Sequence, residues 1–198
     1  EKLGATGIPA EIDHTLKDRA SWEKNYKFRM QFTADRINKT LVNNGKDMIP
    51  FEEGGLDFLK EDKRDFHYGL MCGSLFGRVR NWLGVENSIY LYMDDPDLFK
   101  EIVDTVAAQC YDCTKYVLEA GAKFDFAHFW EDICFKSGPL IDPKTFDDYV
   151  GPHYKKITEM LLRYGIDIVS VDCDGLIDSL IPTWINNGVN TMFPIEVG

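Results

Sequence analysis

The stretch Gly165-Ile166-Asp167-Ile168-Val169-Ser170-Val171-Asp172-Cys173-Asp174-Gly175 decides the fold. A glycine closes the helical pattern before it, a β-rich apolar run follows at once, and the run ends in acidic residues. The same order recurs on both sides. Upstream, Gly121 precedes Phe124–Trp130, which runs into Glu131 and Asp132; downstream, Gly188 precedes Val189–Ile195, which runs into Glu196. Strands that alternate with helices at this spacing pair in parallel through right-handed crossovers. Short apolar strands without clean alternation are expected to be buried on both faces. Two architectures remain: an open doubly wound sheet and a (β/α)₈ TIM barrel. No G-x-G-x-x-G follows any of the strands, which weakens the nucleotide-binding sheet. Acids at consecutive strand ends favour the barrel, whose sites gather residues from many strand C-termini. The expected fold class is therefore α/β, a (β/α)₈ barrel.

Outward from these units, apolar residues recur every three or four positions from Asp13 to Asn43, which predicts one long helix closed by Asn43-Asn44-Gly45. Residues 1–46 are read as a helical segment that packs on the barrel, within one domain spanning 1–198. Asp47–Phe51 and Phe66–Cys72 are read as strands. Ser74 is the expected N-cap of a helix closed by Gly84, and Asp95-Pro96 opens a long helix that Gly121 ends. A further helix is expected from Asp142-Pro143 to Arg163, and another over Leu176–Trp184. Five strands in 198 residues, where such a barrel takes about 250, read as an incomplete barrel cut after a strand end.

The chain carries Asp+Glu 33 against Lys+Arg 22, a net charge of -11, with a hydrophobic fraction of 44%. That balance excludes a disordered acidic tail and disfavours nucleic-acid backbone as a partner. No run approaches the roughly 18 apolar residues of a membrane span, so no membrane association is expected. The five cysteines, Cys72, Cys110, Cys113, Cys134 and Cys173, form no disulfide framework, which suggests the cytoplasm. Cys110-x-x-Cys113 lies inside a helical pattern and is read as packing.

The candidate site is the set of strand ends. Asp132, Asp172 and Glu196 are the candidate catalytic groups, because clustered carboxylates push each other's pKa values apart and one can serve as acid while another stays ionised. Trp130, Glu131 and Asp174 stand beside them, and His128 lies two positions before Trp130. Arg78 and Arg80 are the cations that could clamp a substrate carboxylate. The carboxylates could also hold a divalent cation through oxygen; no metal site is assigned.

The order of these segments resembles the uroporphyrinogen decarboxylase superfamily, which includes tetrapyrrole decarboxylases and corrinoid-linked methyltransferases. The pieces that carry the resemblance are Gly73-Ser-Leu-Phe-Gly-Arg-Val-Arg-Asn-Trp-Leu-Gly84, Asp94-Asp-Pro-Asp-Leu98, Glu119-Ala-Gly-Ala122, Trp130-Glu-Asp132, Gly138-Pro-Leu-Ile-Asp-Pro143 with Phe146, Pro152-His-Tyr-Lys155, Asp172-Cys-Asp-Gly175 and Phe193-Pro-Ile-Glu-Val-Gly198. The resemblance implies a (β/α)₈ barrel with its site at the strand C-termini. Its first implication is a carboxy-lyase that removes carboxyl groups from a tetrapyrrole-like substrate, with Asp132 as the positioned acid and no cofactor. The alternative is methyl transfer between a corrinoid protein and a methylated or methoxylated small molecule; the second is a non-catalytic, ligand-binding barrel. Zinc-dependent methyltransferases of the family carry a His-x-Cys pair where this chain has Val171 and Cys173, so the usual zinc site is broken. A homodimer is kept open as an assembly.

Overall fold

In the computed structural model, residues 14–61 and 64–196 are described. The N-terminal part contains helix α1 (Arg19–Asn25), a 3₁₀ turn at Lys27–Met30 and helix α2 (Ala34–Asn38). Strands β1 (Leu41–Asn43) and β2 (Met48–Pro50) then form an antiparallel hairpin. Helix α3 (Gly55–Lys60) leads to β3 (Gly69–Gly73), followed by α4 (Gly77–Leu83), α5 (Val85–Asp94) and the 24-residue α6 (Pro96–Glu119). Then come β4 (Phe126–Trp130), a two-residue hairpin pair β5 (Cys134–Phe135) and β6 (Gly138–Pro139), α7 (Pro143–Tyr149), α8 (Gly151–Arg163), β7 (Val169–Asp172), α9 (Ile181–Asn186) and β8 (Thr191–Phe193).

Four of these strands form one sheet in the order β3-β4-β7-β8, and every neighbouring pair is parallel. The strand-helix grammar of the sequence is thus realised as a mixed α/β fold around a parallel four-stranded sheet. Its faces differ. Leu70, Cys72, Ala127, Phe129, Val169 and Val171 are buried in one core with α6 and α8 residues such as Val106, Val117, Ile157 and Leu161. The alternate positions Met71, His128, Trp130, Asp172 and Phe193 are half-buried or exposed, Met71 at 60%. The expectation that both faces are buried therefore fails among the described residues. Period-two side-chain alternation places these residues on the opposite face, and among the described residues no helix covers it.

Three further expectations are corrected. The predicted helix from Asp13 to Asn43 is three short helical turns and a strand, so the segment 1–46 is not helical throughout; residues 1–13 lie outside the described residues. The break follows from tertiary packing. Trp22 is fully buried and its Nε1 donates to Glu101 Oε1 at 3.0 Å, while Tyr26 packs on Trp82, so both aromatic residues serve α4 and α6 rather than a continuous helical stripe. The strand predicted at Asp47–Phe51 belongs to the separate β1-β2 hairpin, so four parallel strands are found, and a closed barrel is not formed among the described residues. The helix predicted from Pro143 to Arg163 breaks at Val150.

The helix ends obey local chemistry. Asp95 caps α6 by accepting Leu98 N–H at 2.9 Å, with Pro96 in the first turn. Asp142 caps α7 by accepting Thr145 N–H at 2.9 Å. His153 Nε2 donates to Asp104 Oδ1 at 2.9 Å, a structural tie between α8 and α6.

Candidate functional site

Parallel pairing places every strand C-terminus on one rim. In register, Trp130 lies opposite Asp172, and Asp172 opposite Phe193. The residues just beyond are Glu131 and Asp132, Cys173 and Asp174, and Glu196. Asp132, Asp172 and Asp174 each offer a carboxylate oxygen, and the three oxygens lie within 4.8 Å of one another. Glu196 joins them from β8, its Oε2 accepting Gly175 N–H at 3.0 Å. Sequence-predicted Asp132, Asp172, Asp174 and Glu196 are therefore brought together.

Asp132 is held tightly. Trp130 Nε1 donates to its Oδ2 at 2.9 Å, and Asp174 N–H donates to its Oδ1 at 3.2 Å. Its backbone has φ 49°, a left-handed conformation that aspartate adopts more readily than most residues. Arg80 Nη2 donates to the Asp132 main-chain carbonyl at 2.7 Å and stabilises that turn. The Asp174 carboxyl is held above the usual range by burial first and then by the charges of Asp132, Glu196 and Asp172. Like charges at this spacing favour retention of a proton by one member.

Two of the predicted substrate-binding groups are reassigned, and a third lies apart. Glu131 is fully buried. Its carboxylate accepts from the backbone N–H groups of Leu75 at 2.9 Å, Phe76 at 3.0 Å and Gly77 at 2.5 Å, from Ser74 Oγ at 3.1 Å and from the Tyr154 hydroxyl. These are the orphan amides that open α4, so Glu131 serves as a cap donated from another strand. Burial pushes its carboxyl up, and the Tyr154 hydroxyl and the amides of Gly77, Leu75 and Phe76 pull it back. A substrate has no route to it. Gly77 is required here, because a Cβ would lie 1.8 Å from the Glu131 carbonyl oxygen. Arg80 likewise supports the Asp132 turn rather than offering its fork to a substrate. Arg78 lines a separate cavity of 370 Å³ beside β3 with Gln109 and Cys110, and none of the four rim carboxylates lines that cavity.

His128 sits on the uncovered face, stacked on Phe193 with ring centroids 5.3 Å apart. Ser170, not foreseen as a site residue, lies opposite it in register. Tyr154 and the Ser74 hydroxyl were also missed; their roles depend on a burial partner 23 and 57 residues away, which local sequence does not reveal.

The broken His-x-Cys pattern has a structural counterpart. Val171 is fully buried on the helix-facing side. Cys173 is also buried, its sulfur accepting Ile133 N–H at 3.4 Å and facing the Cys134 thiol. These residues do not fit a thiolate zinc site. The carboxylate oxygens of Asp132, Asp172 and Asp174 have the donor type and spacing to hold a hard divalent cation.

No family model matches the chain, and no curated protein matches it. Among solved structures, it is similar to a methyltransferase from Methanosarcina mazei, with a TM-score of 0.52 and 12% sequence identity over 78% of this chain and 47% of that one. The chain thus spans about half the length of that methyltransferase. The likeness establishes a shared mixed α/β fold. Among the described residues, no helix is long and apolar enough to cross a membrane.

Proposed function

We propose that the chain forms part of a (β/α)₈ barrel enzyme that moves a methyl group to or from a heteroatom of a small molecule. The observation that carries this reading is the rim of four carboxylates at the ends of three adjacent parallel strands, in a fold similar to that of a methyltransferase. Among the described residues, helices cover only one face of the sheet, as in a barrel wall, whereas a doubly wound sheet is covered on both.

In methyl transfer, positive charge builds on the migrating carbon. Preorganised carboxylates facing that carbon stabilise it most in the transition state. Asp132 and Asp172 fit this role; Trp130 fixes Asp132 through its indole N–H. A corrinoid held by a partner protein would supply or accept the methyl group, and the uncovered face bearing Met71 and Phe193 leaves room for it. Carboxyl removal from a tetrapyrrole fits less well. Arg78 and Arg80, the cations expected to hold substrate carboxylates, are engaged elsewhere, and four acids repel a polyanion.

The test is incubation with a corrinoid protein and a panel of methylated and methoxylated compounds, with demethylated product followed by mass spectrometry. Turnover by the wild type that drops roughly 100-fold or more in Asp132→Asn and Asp172→Asn is the expected result. Absence of wild-type turnover across the panel overturns the reading.

A further inference from the structure

We propose that His128 is the group that takes the heteroatom's proton, and that Ser170 sets the imidazole tautomer that makes this possible. The proposal rests on the methyl-transfer reading for its substrate, and on hydrogen-bond accounting for its chemistry.

Ser170 Oγ lies 3.1 Å from the carbonyl oxygen of Ala127 and 3.0 Å from His128 Nδ1. The carbonyl can only accept, so the single hydroxyl proton of Ser170 goes to Ala127. Were it given to His128 instead, two lone-pair oxygens would face each other at 3.1 Å, with Ser170 only 4% exposed. Ser170 Oγ therefore accepts, and His128 Nδ1 must carry the ring proton that it receives. A neutral ring with its proton on Nδ1 has a free lone pair on Nε2. Among the described residues Nε2 has no partner. The ring is clamped by its stack on Phe193 and lines an open hollow of 430 Å³ together with Met71, Phe126 and Tyr68. Burial holds the imidazole below its ordinary range, against the opposing pull of Asp172, which keeps it uncharged at neutral pH.

The chemistry balances. When the small molecule is methylated, its heteroatom forms a bond to the methyl carbon. The bond from that carbon to the donor breaks, and its electron pair stays with the donor. The bond from the heteroatom to its proton also breaks, and the proton passes to His128 Nε2. The imidazolium so formed lies on the same sheet face as Asp172, whose carboxylate stabilises the new charge. In demethylation the same proton returns.

The decisive measurement is the nitrogen-15 spectrum of the histidine rings in the full 198-residue chain at pH 7. The expected pattern for His128 is a protonated Nδ1 and a bare Nε2. Ser170→Ala should shift the ring toward the Nε2–H form, and Ser170→Thr, which restores a hydroxyl, should shift it back. In the methyl-transfer assay His128→Gln should lower kcat by about 100-fold, with a smaller effect on KM. A dominant Nε2–H form or a charged ring in the wild type overturns the proposal whatever the assay gives. So does an unchanged kcat in His128→Gln. If the wild type transfers no methyl group, the methyl-transfer reading and the role of His128 toward the heteroatom fall together, while the ring spectrum still upholds or overturns the tautomer set by Ser170.

Discussion

Glu131 and Asp132 are neighbours in the chain and opposite in circumstance. The Glu131 carboxylate meets five donors and no other acid. The Asp132 carboxylate meets two donors and two further aspartates. A carboxylate whose lone pairs are saturated by protein donors contributes to the fold; one left among like charges has free acceptor capacity and a field that attracts cationic chemistry. The strand register makes the difference. Beyond Trp130 the chain turns, so that Glu131 enters the core toward α4 while Asp132 emerges on the rim.

The sharpest way to break this contrast is to remove each acid in turn. Glu131→Ala leaves three buried amides and two hydroxyls without an acceptor, and should destabilise the chain by about 3–5 kcal/mol in chemical denaturation. A loss under about 1 kcal/mol would mean that the amides find other partners and the contrast is false. Asp132→Asn and Asp174→Asn should leave stability within about 1 kcal/mol of wild type, or raise it, since each relieves like-charge repulsion. Their cost should appear in turnover instead. A double variant that unfolds would place the rim among the structural groups.

A second comparison lies in acid titration. Glu101 on α6 is hydrogen-bonded by Lys27, Arg19 and Trp22, which hold its carboxyl down at about 2, against an ordinary value of 4.5. A depressed folded pKa gives stability that is present above the unfolded value and is lost as pH falls through the folded one. The tie between α1 and α6 should therefore weaken from about pH 4.5 down to about 2, as read by fluorescence of the buried Trp22. Glu101→Gln should flatten that slope, and an unchanged slope would exclude this tie. The smallest effect concerns thiols. Burial pushes Cys72 and Cys110 up to about 12, so both should react with a disulfide reagent only after unfolding, whereas half-buried Cys113 should react first.

These contrasts also show what could be read from residue order alone. The β4 and β7 strands, the caps at Asp95 and Asp142, and the rim acids follow from local signals: a glycine stop, a run of aromatic (β4) or β-branched (β7) residues, a polar residue just after it. Asp174 and Glu196 were visible as members of the rim because parallel pairing forces strand ends together. The split of Glu131 from Asp132 was not visible, since it depends on α4 amides more than 50 residues upstream. The N-terminal helix misled for the same reason. Its apolar spacing is genuine, yet Trp22 and Tyr26 are claimed by α6 and α4, and helical stability in a folded protein comes mostly from tertiary packing rather than from intrinsic propensity. Helix α5 followed Gly84 without a polar cap and gave no starting signal.

Among the described residues, the two outer strands, β3 and β8, each have a single neighbour in the sheet. Any strand added at either side in the parallel sense must bring its own C-terminus to the rim that holds Asp132, Asp172 and Glu196. Growth of this sheet and growth of its site are thus one event: each strand gained contributes one more residue to the ring of groups facing a substrate, and the side on which it joins sets whether that residue stands beside Ser74 or beside Glu196.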